Sequence, residues 1–318
     1  MWRQRGQHWW GITRGAIQLW LDSNAFSHAA ALAFYTLFSL APVVIIAVAV
    51  IGLVLGEQAA QGQIVGQLQD VMGREAAQAV EQAVARSRLS EAGWLPTLLG
   101  ITALLTGATT VFGQMQVSLN DIWGVAARPD RSSLFMFLKS RLLSLTVVLA
   151  IGFVLLVSLL LGVVLRAVLH FADQFVPAVA ALLASGEMLL SLLVTGLLFG
   201  TIFKVLPDVV LKWREVVVGA LVTAVLFAIG RDAIALYLAQ TATASTYGAA
   251  GSVVLILLWV YYSSLILLFG AAFTKTHLLA RGRSVVPRNS AVLVHRELVV
   301  ESPAPRSPPA SRQDASRS

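Results

Sequence analysis

GSVVLILLWVYYSSLILLFGAAFT, residues 251–274, contains no Asp, Glu, Lys or Arg. It is long enough to cross a hydrocarbon core of about 30 Å as a helix, which takes around 20 residues. Its apolar character is continuous rather than alternating, so it reads as a transmembrane helix and not as a strand of a membrane barrel. Outward from this stretch, five more of the same kind lie near 29–55, 96–119, 142–166, 182–206 and 216–240. Composition points the same way. Of 318 residues, 57% are hydrophobic and 12% charged, with a mean hydropathy of +0.78, against about 45–50% and 25% in soluble domains. The expected fold class is all-α, a polytopic membrane protein with six transmembrane helices.

The basic residues predict the orientation. Arg3, Arg5 and Arg14 precede the first span; Arg128, Arg131, Lys139 and Arg141 fall in the second loop; Lys204, Lys212 and Arg214 fall in the fourth; the remainder of this set runs from Lys275 onward. Most of the 23 Lys and Arg residues thus collect on one side, which the positive-inside rule makes cytoplasmic for both termini. The formal charge of +7 records topology rather than nucleic-acid binding. Trp94, Trp123 and Trp213 flank spans, where indole favours the headgroup boundary; packing inside the protein is the alternative for each. The first apolar segment exceeds a signal-peptide core and is expected to remain in the mature chain.

Three regions frame the domain organisation. Residues 1–28 are expected to include a cytoplasmic interfacial helix, since Trp9, Trp10, Ile12, Ile17, Trp20 and Leu21 alternate with Arg14, Gln18 and Asp22. Residues 29–280 form the six-helix domain, whose one sizeable external loop, 57–93, has apolar residues at three- and four-residue steps and so predicts an amphipathic helical cap or lid. Residues 281–318, rich in Pro, Ser and Arg, read as a disordered basic cytoplasmic tail.

Motifs for catalysis are missing. The five histidines are scattered, no close metal-ligand pair occurs, and no nucleophile elbow, phosphate loop or dinucleotide fingerprint is present. With no cysteine, disulfides and thiolate chemistry are excluded. Neither an enzyme, a metal nor a cofactor is expected.

Charge inside the membrane is what stands out, because a lone ionised side chain there costs about 2.5–3.5 kcal/mol on insertion scales. Arg231 and Asp232 interrupt the fifth segment, Glu187 lies in the fourth, and Arg166 ends the third. Helical rise puts all four in one outer layer, which predicts interhelical pairing of Arg231 with Glu187 and of Asp232 with Arg166 or solvent. The charges either line an outward-facing polar cavity or form a structural network that fixes register. Tyr237, Tyr247 and the neighbouring Thr and Ser residues make the last external turn polar and mark it as the candidate ligand entrance. Pro42 interrupts the first span and predicts a kink. GLVLG at 52–56 and GLLFG at 196–200 offer small faces for close helix contact.

AALAFYTLFSLAP at 30–42, SLNDIWGV at 118–125, LPD at 206–208, VVGALVTAVLF at 217–227, and YGAAGSVVLILLWVYY followed by LFGAAFT together resemble the YihY/BrkB family over roughly residues 10–280. The resemblance implies a six-helix protein of the bacterial inner membrane. Some members have carried a ribonuclease BN label, widely regarded as a misassignment, and others are named for resistance to serum killing. Pro42, Asn120, Tyr247 and Gly248 match recurrent family positions. Many relatives have an acidic residue after the Gly-Ala of the last span, where this chain has Ala272.

The expected function is transport or binding of a lipid-like or small amphiphilic solute through the bundle by alternating exposure of the charged layer. A non-enzymatic envelope scaffold is the alternative, with ribonuclease behind it. Expected partners are membrane lipids, such a solute and a second copy of the chain, but not nucleic acid.

Overall fold

The structure, a computed structural model, describes residues 2–39, 110–128, 177–240 and 249–294. Six helices and two short strands are formed among the described residues. Helix α1 is Trp2–Asp22, α2 is Ala25–Ser39 and α3 covers 110–123. Strand β1, Val125–Ala127, leads away from α3; then come α4, Pro177–Val205, α5, Trp213–Gln240, and α6, Ala249–Ala280. Strand β2, Ala291–Leu293, follows.

Three of these helices, α4, α5 and α6, contain runs long and apolar enough to cross a membrane. They overlap the three C-terminal spans expected from the sequence. The expected span at 142–166 and the external loop at 57–93 lie outside the described residues, as do Trp94, Gly52 and Gly56.

Helix ends go beyond the apolar runs because polar caps extend them. At the start of α5, the Glu215 carboxylate accepts the backbone N–H of Lys212 at 2.7 Å, one half of a capping box. At the end of α6, Gly282 adopts φ +71°, and its N–H bonds the carbonyl of Leu279 while that of Arg283 bonds Leu278. This left-handed closure suits glycine and terminates the helix six residues after the expected Thr274. A second left-handed glycine, Gly124 at φ +69°, ends α3 and turns the chain into β1.

Neighbouring helices run antiparallel in two tight seams. Gly196 and Gly200 of α4 face Leu221 and Ala220 of α5 at ordinary van der Waals distance, the close contact expected of GLLFG. The α5–α6 seam is tighter and reciprocal. A Cβ on Gly219 would stand 1.8 Å from Thr274 Oγ1, and one on Gly270 would stand 1.9 Å from Thr223 Oγ1. Each threonine hydroxyl donates to the carbonyl four residues back, Thr223 to Gly219 and Thr274 to Gly270, both at 2.7 Å. Two Gly-x-x-x-Thr segments thus interlock, each threonine seated on the other helix's glycine, which is how small residues let backbones approach within a bilayer.

Helix α1 lies antiparallel along the last turns of α6. Ile12 and Ala16 are buried against Phe273, Thr276 approaches Gly15, and Trp20 meets Phe269 edge-on. Asn24, at φ +50°, turns the chain from α1 into α2, whose Ala25 and Ala29 enter the main core with Leu119, Ile122, Phe203, Val216 and Leu268. Trp123 belongs to this core at 1% exposure. It takes the packing role rather than the boundary role, whereas Trp213 is exposed and carries the Lys204 ammonium 5.2 Å above its ring.

The chain after α6 does not leave the bundle at once. Strand β2 pairs antiparallel with β1, Val125 opposite Leu293 and Ala127 opposite Ala291, and Pro287 bridges to Val209. The tail expected to be disordered from 281 is therefore folded through residue 294. Its backbone N–H groups find carbonyl partners in the α3 and α4–α5 connections, Arg288 N bonding Asp208 O and Val294 N bonding Gly124 O at 2.9 Å each.

Candidate functional site

Two polar features emerge along and beside α5. About 27 Å along the helix from Trp213, Arg231 Nε donates to Asp232 Oδ1 at 3.3 Å. Their side chains are 43% and 75% exposed. The pairing seen is local, between successive residues; the expected bond from Arg231 to Glu187 falls on a side chain outside the described residues. Adjacent positions point about 100° apart around the backbone axis, but Arg side chains are long enough to fold across that angle. Gly230, just before the pair, receives the ring of Tyr262, since a Cβ there would lie 2.5 Å from it. Glu187 and Tyr237 fall in α4 and α5, but their side chains lie outside the described residues. Arg166, Tyr247, Gly248 and Pro42 are also outside them.

Just before α5, Asp208 gathers the connections into a clasp. Its carboxylate oxygen Oδ2 accepts Asn120 Nδ2 at 2.8 Å and Gln116 Nε2 at 3.1 Å, and Oδ1 accepts Ser290 Oγ at 3.5 Å. The exchange is reciprocal, because Asp208 N donates to Asn120 Oδ1 at 2.8 Å. Asn120 thus reads both the side chain and the backbone of Asp208, which fixes α3 to the α4–α5 connection. The Arg288 guanidinium adds a bond to Lys204 O at 3.1 Å, and Lys204 Nζ donates to Leu211 O at 3.0 Å.

Beside the clasp, His28 Nε2 stands 3.1 Å from Asp121 Oδ2, both partly buried. Lys275 Nζ donates to Ile122 O at 2.8 Å. Helices α2, α3 and α6 are thereby held to one another by a histidine, a carboxylate and an ammonium. Glu215 also accepts from Arg283, tying the start of α5 to the segment after α6.

Chemically, the clasp is committed to structure. The acceptor oxygens of Asp208 are already occupied by neutral donors and a backbone contact, and among the described residues no three His, Asp or Glu side chains come together to hold a metal. The Arg231–Asp232 pair is different in kind, since its charges remain accessible. His277 is buried at 4% exposure, its ring stacked with those of Trp9 and Phe273 at 5.4 and 6.3 Å, and among the described residues neither ring nitrogen has a hydrogen-bond partner.

Sequence reasoning missed Asp208, Gln116, His28, Asp121 and Lys275 as a constellation. The available signal was the occurrence of Asn120 and Asp208 within two separate recurring segments, SLNDIWGV and LPD.

Residues 16–290 match the family described as Virulence factor BrkB. A UPF0761 membrane protein of Mannheimia succiniciproducens is 28% identical over 261 residues, covering 80% of this chain and 85% of that protein. One from Alteromonas mediterranea is 30% identical over 55% of this chain and 57% of its own length. A third, from Rhodospirillum centenum, is 28% identical over 84% of this chain and 57% of its own. The match therefore spans little more than half of the Alteromonas and Rhodospirillum proteins. No solved structure matches the chain.

Proposed function

Because the chain belongs to the BrkB family of membrane proteins, we propose that it moves or binds a lipid-like or small amphiphilic solute through a polar cavity open to the outer face of the bacterial inner membrane. In this reading six helices span the bilayer, both termini are cytoplasmic, and the protein is not an enzyme. The observation that carries it is the exposed Arg231–Asp232 pair in an otherwise apolar helix. An ion pair that fixes helix register joins two helices, whereas this contact joins successive residues of α5. An accessible pair on a membrane helix is a functional pointer, suited to a charged or zwitterionic group.

The test is reconstitution into vesicles that contain only this protein, with transbilayer movement of fluorescent phospholipids and uptake of amphiphiles as readouts. The expected result is activity that is lost in Arg231→Gln and Asp232→Asn while elution as a single species is retained. Exchanging the two residues, Arg231→Asp with Asp232→Arg, keeps the local charge balance and is expected to abolish activity as well. Undiminished movement in all three variants refutes the site. Reporter fusions at each terminus test the orientation, and an outward-facing tail refutes it.

A further inference from the structure

The side of α1 that looks away from α6 carries a second apolar stripe. Trp10, Ile17 and Leu21 are spaced by seven and four residues, which puts them on one helical face, and they are 72%, 44% and 50% exposed. Arg14 lies within the same stripe and is exposed. Charge on α1 is one-sided, with Arg3, Arg5 and Arg14 against Asp22. Next to the stripe, a groove of about 520 Å³ opens between α1 and α6, lined by Gln7, His8 and Gly11 on one side and Thr276 and Leu279 on the other. Gly11 borders this open space, and a Cβ there would meet none of the described residues within 4 Å. Gln7 and Gly11 precede Arg14 by seven and three residues, so groove and stripe are adjacent on the helix surface.

This combination has a specific physical complement. Indole and aliphatic side chains beside guanidinium groups suit the boundary between acyl chains and headgroups, and a guanidinium pairs with a phosphate through two parallel hydrogen bonds. Because α1 packs along the last turns of membrane-crossing α6, the stripe is carried at the end of a span, where that boundary falls. Excess positive charge selects an anionic headgroup over a zwitterionic one. We propose that the α1–α6 groove seats the headgroup of an anionic phospholipid, with its phosphate at Arg14 and its acyl chains along Trp10, Ile17 and Leu21. The site is independent of the proposed transport activity, since it lies by α1 and not by Arg231, and an inactive protein would retain it.

The test uses the full-length protein, delipidated in detergent and titrated with phosphatidylglycerol or phosphatidylcholine, with bound lipid counted by native mass spectrometry. Phosphatidylglycerol is expected to bind about fivefold more tightly than phosphatidylcholine, one surface charge's worth. Arg14→Ala is expected to remove that preference, and Gly11→Phe, which fills the groove, to remove one bound phosphatidylglycerol. Equal binding of the two lipids, or phosphatidylglycerol binding in both variants as in the wild type, overturns the proposal. A second measurement covers failure of a variant to fold. Brominated phosphatidylglycerol in nanodiscs is expected to quench wild-type emission more than that of Trp10→Phe, and equal quenching overturns the placement of the stripe.

Discussion

Replacing Gly219 by Ala forces a methyl group into space that Thr274 fills. The added Cβ would lie 1.8 Å from Thr274 Oγ1, 2.9 Å from its Cβ and 3.3 Å from its Cα, whereas carbon atoms in favourable contact sit about 3.5–4.0 Å apart. Turning the hydroxyl away relieves the first clash and breaks its 2.7 Å bond to Gly270 O, which in a membrane protein is worth on average about 0.6 kcal/mol. The Cβ and Cα clashes persist, so α5 and α6 must separate locally. Overpacking of this kind costs about 1–3 kcal/mol, and the expected destabilisation is about 2 kcal/mol. Thr274→Gly removes both clashing side-chain atoms and by itself costs about 1 kcal/mol for glycine in a helix. The double variant should then be little worse than Thr274→Gly alone, a coupling of about 1–2 kcal/mol. Reversible unfolding in mixed micelles of rising dodecyl sulfate fraction, followed by circular dichroism, measures all four species. Gly113→Ala in α3 is the control, because its Cβ would meet none of the described residues within 4 Å, and it should be neutral or stabilising by up to about 1 kcal/mol. A Gly219→Ala protein as stable as Gly113→Ala, or costs that simply add in the double variant, refutes the reciprocal seam.

Asp208→Ala leaves Asn120 and Gln116 donors without their acceptor and is expected to cost about 2–3 kcal/mol; it should also expose Arg283 and Arg288 to trypsin, and an unchanged digestion pattern counts against the clasp. His277→Phe replaces an imidazole that bonds none of the described residues with a ring that can stack on Trp9 and Phe273, so its melting temperature should equal or exceed that of the wild type; a loss of several degrees would show that the imidazole has a polar partner. Trp123→Ala should destabilise by about 3–5 kcal/mol, whereas Arg283→Ala, which removes a half-exposed ion pair with Glu215, should change stability by less than about 1 kcal/mol in the same micelle titration.

What the sequence could disclose depended on range. The spans α4, α5 and α6 were legible because an uninterrupted apolar run is a local property, and the basic residues around them are local too. Their ends were misjudged by a few residues, since Glu215 and Gly282 continue the helices by hydrogen bonding beyond the apolar stretch. The clasp was illegible from pattern alone. Asn120 and Asp208 are 88 positions apart, and an Asn or Asp at a helix end ordinarily signals a cap or a turn. Only the resemblance marked Asn120, and it supplied no partner. Strands of three residues, β1 and β2, offer no periodicity to detect, so Pro, Ser and Arg after residue 281 outweighed them. The Arg231–Asp232 pair was visible as intramembrane charge, but its contact between successive residues was not anticipated, because helical spacing describes where side chains begin and not how far a long one can bend.

The pairing of β2 with β1 imposes an order on biosynthesis. A chain made from its N-terminus completes α3 and β1 long before Ala291–Leu293 leaves the ribosome, so Val125–Ala127 has no β2 to pair with until α4, α5 and α6 have been made. Ser290 and Arg288 arrive last at Asp208. Closure of this end therefore requires all of α6: a polypeptide that stops short of residue 288 lacks both the contacts of Arg288 and Ser290 with Asp208 and the β1–β2 pairing.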